Sequence, residues 1–182
     1  PDTAAEVLPA IRMALSEQGL KIASIRNNSL IEYFAENQLH FQKISLPFTP
    51  DQIVYCRAKY IYIQNARSAE EVVSLFRHQL ERFRQEFGFD PKIILIKGMG
   101  LVAVDAHYNA VQTALDVYED LMKISYYSEF FGGPRFLTPD QISFIDHWEV
   151  ENYRRKVSIS DRQGRLSGKI ALVTGAAQGF GN

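Results

Sequence analysis

Two hydrophobic periods alternate along this chain. Near the start, Val7, Leu8, Ile11 and Leu15 recur at helical spacing, so residues 4–18 are read as a helix that Gly19 can end. A short strand follows at 21–25. Asn28-Ser29 can cap a second short helix that turns Leu30, Ile31 and Phe34 inward. Residues 60–64 are β-branched and aromatic, a strand composition. Ser68-Ala69-Glu70-Glu71 forms a capping box that opens a helix to residue 87. Its stripe of Val72, Phe76, Leu80, Phe83 and Phe87 faces a core, and Arg77, Arg82 and Arg84 fall on the solvated side. Residues 92–96 carry the strongest strand signal, an apolar run suited to a sheet centre.

Gly98-Met99-Gly100 turns the chain, and 101–104 returns as an antiparallel neighbour. A long helix spans 108–130 with Val111, Ala114, Leu115, Tyr118 and Met122 buried, until Gly132-Gly133-Pro134 breaks it. A short helix runs from 139 to 148, and a polar one covers 149–156. The letters Thr-Pro-Asp-Gln occur at 49–52 and again at 138–141, each time followed by Ile. Thr caps, Pro takes the first helical position and Gln closes a capping box. The flanks differ, so this is a reused cap and not a repeat. The alternation of strands and helices, with one antiparallel pair, predicts an α/β domain: a mixed or largely antiparallel sheet covered by helices.

Composition narrows the function. An apolar share of 46% over 182 residues suffices for a core. Twenty basic residues against 21 acidic ones argue against a nucleic-acid partner. No apolar run approaches the roughly 18 residues of a membrane span. The single cysteine, Cys56, excludes an intrachain disulfide and points to a cytoplasmic setting; beside Ile53, Val54 and Tyr55 it reads as a small buried hydrophobe. His40, His78, His107 and His147 are scattered without ligand spacing. The start at Pro1-Asp2-Thr3 and the end at Asn182 both read as cuts in a longer polypeptide.

The candidate chemistry lies at the C-terminus. Residues 158–168 are polar and read as a linker. An apolar strand at 170–173 then enters Thr174-Gly175-x-x-x-Gly179-x-Gly181. Such glycines let a backbone approach a pyrophosphate at the start of the next helix. These residues resemble the first glycine loop of the short-chain dehydrogenase/reductase family. The resemblance implies that Thr174, Gly175, Gly179 and Gly181 bind NAD(P) in the parent protein. The family's catalytic tyrosine, lysine and serine have no counterparts here, so the chain by itself is expected to show no NAD-dependent turnover. The last fourteen residues are expected to be disordered or a stray strand.

A second resemblance covers more of the chain. The run from Lys92 to Val104, with the helix through Tyr118-Glu119, is similar to the closing segment of the class II aldolase/adducin family. In that family the turn reads Asn-His-Gly and a following helix carries a Glu. Here the turn is Gly98-Met99-Gly100, and a thioether cannot replace imidazole in a hard, water-activating zinc site. The family's His-x-His pair is absent as well. No catalytic residue and no metal ligand is therefore assigned within the chain.

Both resemblances meet in the bifunctional rhamnulose-1-phosphate aldolase/alcohol dehydrogenases. Phe48-Thr-Pro-Asp-Gln-Ile-Val-Tyr55, Gly88-Phe-Asp-Pro-Lys92, Gly98-Met-Gly100, Phe131-Gly-Gly-Pro-Arg-Phe136 and Trp148-Glu-Val-Glu-Asn-Tyr-Arg154 resemble them in order and content. This resemblance implies three parts: an aldolase-like module without metal ligands (1–157), a linker (158–168) and the truncated start of a Rossmann domain (169–182). The parent would cleave a sugar phosphate to dihydroxyacetone phosphate and lactaldehyde, then oxidise the aldehyde with NAD. The module would pack on the flanking domains of the parent chain or on a second copy in a homo-oligomer, and have a structural role. The alternative is a retained sugar-phosphate or nucleotide site at Lys97-Gly98-Met99-Gly100 or near Gly132-Gly133-Pro134-Arg135, where glycine amides cradle an anion. Tyr126, Tyr127, Phe130 and Phe131 are left open between core and contact surface.

Overall fold

Four strands form one mixed sheet in the computed structural model, which describes residues 2–17 and 19–147. Its order is β1 (Ile22–Arg26), β4 (Gly100–Asp105), β3 (Ile93–Ile96), β2 (Ile61–Ile63). β4 runs antiparallel to both β1 and β3, whereas β2 and β3 are parallel. The parallel pair needs a crossover, and helix α5 (Ala69–Phe87) supplies it. The sequence-based fold class holds. The predicted tail helix, the linker and the glycine loop lie outside the described residues.

Alternation along the central strands divides the core in two. Ile93, Leu95, Leu101 and Ala103 face one side, and Ile94, Ile96, Val102 and Val104 the other, all buried. The second side is covered by α1 (Asp2–Ala14) and α5 through Val7, Ile11, Leu15, Val72, Phe76, Leu80 and Phe83. The first side is covered by α2 (Ser29–Ala35), α3 (Gln38–Gln42), α4 (Pro50–Cys56) and α6 (Tyr108–Ser128). Burying both faces explains why 92–96 carries no polar alternation after Lys92.

The first side also handles irregular backbone. The segment from 35 to 45 would leave carbonyls buried without partners. Tyr62 Oη donates to the Ala35 carbonyl (2.7 Å), Tyr118 Oη to that of Ile44 (3.1 Å) and Ser125 Oγ to that of Lys43 (2.9 Å). Cys56 Sγ is fully buried against the Ala114 carbonyl at 3.3 Å, and burial pushes its thiol pKa up, with the Lys92 charge acting the other way. It is an inert core residue, as its neighbours predict.

Element ends depart from the predicted ones for local reasons. α1 stops at Ala14 because Ser16 Oγ takes the Arg12 carbonyl (2.6 Å) and the Ser16 amide tightens onto Met13. The sequence pattern missed α3, although Asn37 caps it by accepting from the His40 amide at 2.9 Å. α6 ends at Ser128 in a 3-10 turn, Glu129–Phe131. Both Thr-Pro-Asp-Gln caps form. Gln52 is buried and accepts from the Phe48 and Thr49 amides; Gln141 is exposed and accepts from Thr138. The second cap opens α7 (Pro139–His147), which packs on α4 through Ile53, Ala58 and Ile145.

Candidate functional site

Thr174, Gly175, Gly179 and Gly181, the predicted cofactor loop, lie outside the described residues. Within the described residues the place to look is the sheet end where β1, β2 and β3 finish, because ligands of α/β folds gather beyond the carboxyl ends of strands. The Lys97-Gly98-Met99 turn sits there between two cavities of about 410 and 370 Å³, both lined by Asn27, Lys97, Gly98 and Met99.

The turn is built by its own backbone. The Met99 amide donates to the Ile96 carbonyl (3.1 Å), and the Lys97 amide to Ile63 (2.9 Å). Gly98 takes φ 75°, open to glycine at little cost. Gly100 is required twice over: φ is 133°, and a Cβ there would lie 2.5 Å from the Arg26 carbonyl oxygen. Met99 leans into the α1–α5 side of the core. Two of the turn's amides are thus already bonded, which weakens an anion cradle at this point.

Glu119, on the helix that follows the turn, has both oxygens occupied. Oε2 accepts from Arg26 Nη1 at 3.0 Å, and Oε1 from Asn28 Nδ2 at 3.1 Å. Asn28 in turn caps α2, its Oδ1 accepting from the Leu30 and Ile31 amides at 3.0 Å. Asp116 gives Arg26 a second carboxylate at 2.7 Å. Glu119 is therefore a tie between α6, β1 and the α2 cap. No pattern in the sequence distinguishes this network; only the register of β1 against β4 brings Arg26 to α6.

The histidines remain apart. His40 stacks on Tyr33 (centroids 4.1 Å apart) and holds its carbonyl, while His147 bonds Ser143 one turn back. Among the described residues no three His, Cys, Asp or Glu side chains are grouped to hold a metal. The second glycine turn is occupied too: the Gly132 and Gly133 amides donate to Glu129 and Ser128, closing the end of α6. Tyr127, Phe130 and Phe131 stand outside the core, exposed by 69%, 89% and 91%.

The opposite sheet end is charged. Lys92 Nζ meets Asp105 Oδ2 at 2.5 Å, both largely buried. Burial alone would raise the Asp105 carboxyl; Lys92, the Ala106 amide and Lys21 outweigh it and hold the group below its ordinary value. Arg84 corrects the sequence reading. It is not on the solvated side with the exposed Arg77 and Arg82. It clamps Asp90 (2.7 Å), Glu17 (2.9 Å) and the Ala14 carbonyl (3.1 Å), because the chain after Gly88 folds back beside it.

No protein-family model matches the chain. Over an alignment of 198 residues that takes in 98% of the chain, it is 23% identical to YuxG of Bacillus subtilis (strain 168), an oxidoreductase that is itself uncharacterized. The chain spans 28% of that protein's length. The crystal structure of YgbL from Escherichia coli, a provisional aldolase/epimerase/decarboxylase, matches 80% of this chain and 66% of its own, with a TM-score of 0.55 at 14% identity. The fold is thus class II aldolase-like. No described helix is long and apolar enough to cross a membrane.

Proposed function

We propose that this chain is a non-catalytic, aldolase-fold module of a longer bifunctional protein that joins a sugar-phosphate aldolase to an NAD(P)-dependent short-chain dehydrogenase of rhamnose metabolism. The observation that carries the reading is the pairing of Glu119 with Arg26 and Asn28 beside a turn whose central residue is Met99. Hydrogen bonds to an ionised carboxylate are among the stronger ones, and these two hold Glu119 to β1 and to the start of α2. An aldolase-like fold that aligns within an oxidoreductase supports the two-activity parent.

In this reading Thr174, Gly175, Gly179 and Gly181 cradle the cofactor pyrophosphate once the rest of the dehydrogenase is present. The exposed Tyr127, Phe130 and Phe131 provide a contact surface for flanking domains or a second copy. The module works in the cytoplasm as an internal support. Its test has two arms. The purified chain is assayed for zinc content, aldol cleavage of rhamnulose 1-phosphate and NAD-dependent oxidation of lactaldehyde; none is expected. Stoichiometric zinc together with chelator-sensitive cleavage would overturn the reading. In the full-length protein, deleting this module is expected to impair assembly or activity, and full retention of both would count against it.

The cavities beside Lys97 favour a second reading, a retained sugar-phosphate or nucleotide site. Calorimetric titration with dihydroxyacetone phosphate and NAD separates the two, since a structural module gives no heat that depends on Lys97.

A further inference from the structure

The two edges of the sheet differ. β2 is three residues long and buried throughout, whereas β1 has five residues and each is only half-buried. Edge strands are normally guarded by shortness, a proline, a bulge or a charge. The interior of β1 carries none of these: Ile22-Ala23-Ser24-Ile25 is uncharged, and its register with β4 runs unbroken from Ile22 to Arg26. The β4 ladder satisfies its inner side. On its outer side, among the described residues, no backbone N–H or carbonyl of residues 22–26 has a partner. Such a row of donors and acceptors is a template for a further strand.

We propose that β1 pairs antiparallel with β1 of a second copy, with Ser24 on the two-fold axis, so that two four-stranded sheets join into one. The side chains and charges of β1 select this occupant. Ile25 lies opposite the partner's Ala23, a large residue against a small one, and both extend the core on the α1 side. Ser24 meets the partner's Ser24; its Oγ accepts from Gln112 Nε2 at 3.5 Å and keeps its own proton to donate across the pair. Ile22 lies opposite the partner's Arg26, and Arg26 is already neutralised by Asp116 and Glu119. The two copies of Arg26 are four strand residues apart, about 14 Å, which exceeds the Debye length of about 8 Å at physiological ionic strength. At each end of the pair Lys21 falls opposite the partner's Asn27. Asn27 Nδ2 donates to Glu32 Oε1 at 3.0 Å, so a cation meets a carboxylate there, and the two-fold axis repeats the contact. Centring the pair on Ala23 instead would set Ile25 against Lys21. The interface uses none of Tyr127, Phe130 and Phe131, and it does not depend on the module being non-catalytic.

The test uses the whole chain in sedimentation equilibrium from about 5 to about 500 µM, because a strand pair of this size gives a weak dimer. The mass is expected to rise from monomer towards dimer across that range. Amide exchange at residues 22–26 should slow by about threefold or more at the upper concentration. Ser24→Lys and Ser24→Glu each set like charges against one another across the axis, on an edge position that tolerates charge, so each variant should stay monomeric. Mixed in equal parts, they should associate at least about tenfold more tightly than either alone. Phe131→Ser should leave association unchanged. A chain that is monomeric over the whole range, or a dimer whose β1 amides gain no protection, would overturn the proposal. So would undiminished association of both Ser24 variants, a mixture no tighter than its components, or loss of the dimer in Phe131→Ser. Should the Ser24 variants fail to fold, the concentration dependence of exchange in β1 of the parent chain decides.

Discussion

At one end of the sheet, the chain passes from β3 to β4 through glycines, and the Glu119 carboxylate nearby is tied to Arg26 and Asn28. At the other end, the strands begin among lysines, arginines and aspartates that line a cavity, and a non-glycine residue holds a glycine backbone. The first end is shaped by close packing, because the Arg26 carbonyl leaves no room for a side chain at Gly100. The second is shaped by charge compensation around Lys92 and Asp105. The end where a resemblance to known enzymes would place chemistry is the one whose polar groups are occupied. The charged end had no motif to announce it.

Gly100→Ala breaks the first end most directly. The new Cβ meets backbone, which cannot swing aside, and the φ of 133° disfavours any L-residue. A loss of about 3 kcal/mol is expected from urea unfolding, with β3–β4 amides losing exchange protection first. Gly98→Ala, with open space around its Cβ, should cost about 1 kcal/mol, which separates the steric from the conformational share.

The contrast also explains what could be read from sequence. Helical stripes such as Val72-Phe76-Leu80-Phe83 and the run Ile93–Ile96 announce themselves, because period and burial go together. The caps at Asn28, Thr49, Ser68 and Thr138 are equally local. Arg26 with Glu119, and Arg84 with Glu17, join residues 93 and 67 positions apart, so nothing in either neighbourhood marks them. Arg57 is the extreme case. Its backbone state is imposed by the sharp exit from α4, and arginine gives no hint of it. The same holds for Tyr127, Phe130 and Phe131, whose letters fit core and surface alike.

Asp105→Asn tests the second end. It leaves Lys92 in a largely buried position without its counter-charge, and a loss of about 2 kcal/mol is expected at pH 7. The pH dependence follows from the depressed carboxyl. The contribution is fully present above the ordinary value of 3.8 and is lost as pH falls through the lower folded value. Denaturant curves of the parent chain and the variant should therefore stay equally separated from pH 7 to 5 and converge as pH drops below about 4. A constant gap down to the most acidic pH would mean that Lys92 does not stabilise the ionised carboxyl.

Glu119→Gln returns to the first end with a smaller perturbation. Glutamine keeps the length and one acceptor, and Arg26 retains Asp116 at 2.7 Å. A loss of about 1 kcal/mol is expected, reduced further by salt because Arg26 is partly exposed. If the carboxylate instead served a ligand, the substitution would leave stability untouched and abolish binding at the turn.

Met99→His carries the smallest expected effect on stability and bears most directly on the comparison. It places an imidazole at the turn of a class II aldolase-like fold. Met99 is only partly buried and packs at the margin of the α1–α5 core, so exchanging it for a ring of similar volume should cost under about 1 kcal/mol. A zinc site needs at least three protein donors, and among the described residues no three are grouped now, so the new imidazole would have to draw in at least two carboxylates from other places, Glu32 and Glu36 of the neighbouring cavity wall included. Glu119 cannot be recruited through both oxygens without giving up its hydrogen bonds from Arg26 and Asn28. Equilibrium dialysis is thus expected to find no stoichiometric zinc in the variant. The double variant Met99→His with Arg26→Ala frees one oxygen of Glu119 and should still bind zinc only weakly, because two donors do not fill a tetrahedral shell. Tight zinc binding by Met99→His alone would mean that the occupied end of the sheet keeps a latent metal site, and that its occupation by Arg26 and Asn28 is a resting arrangement that a metal can displace.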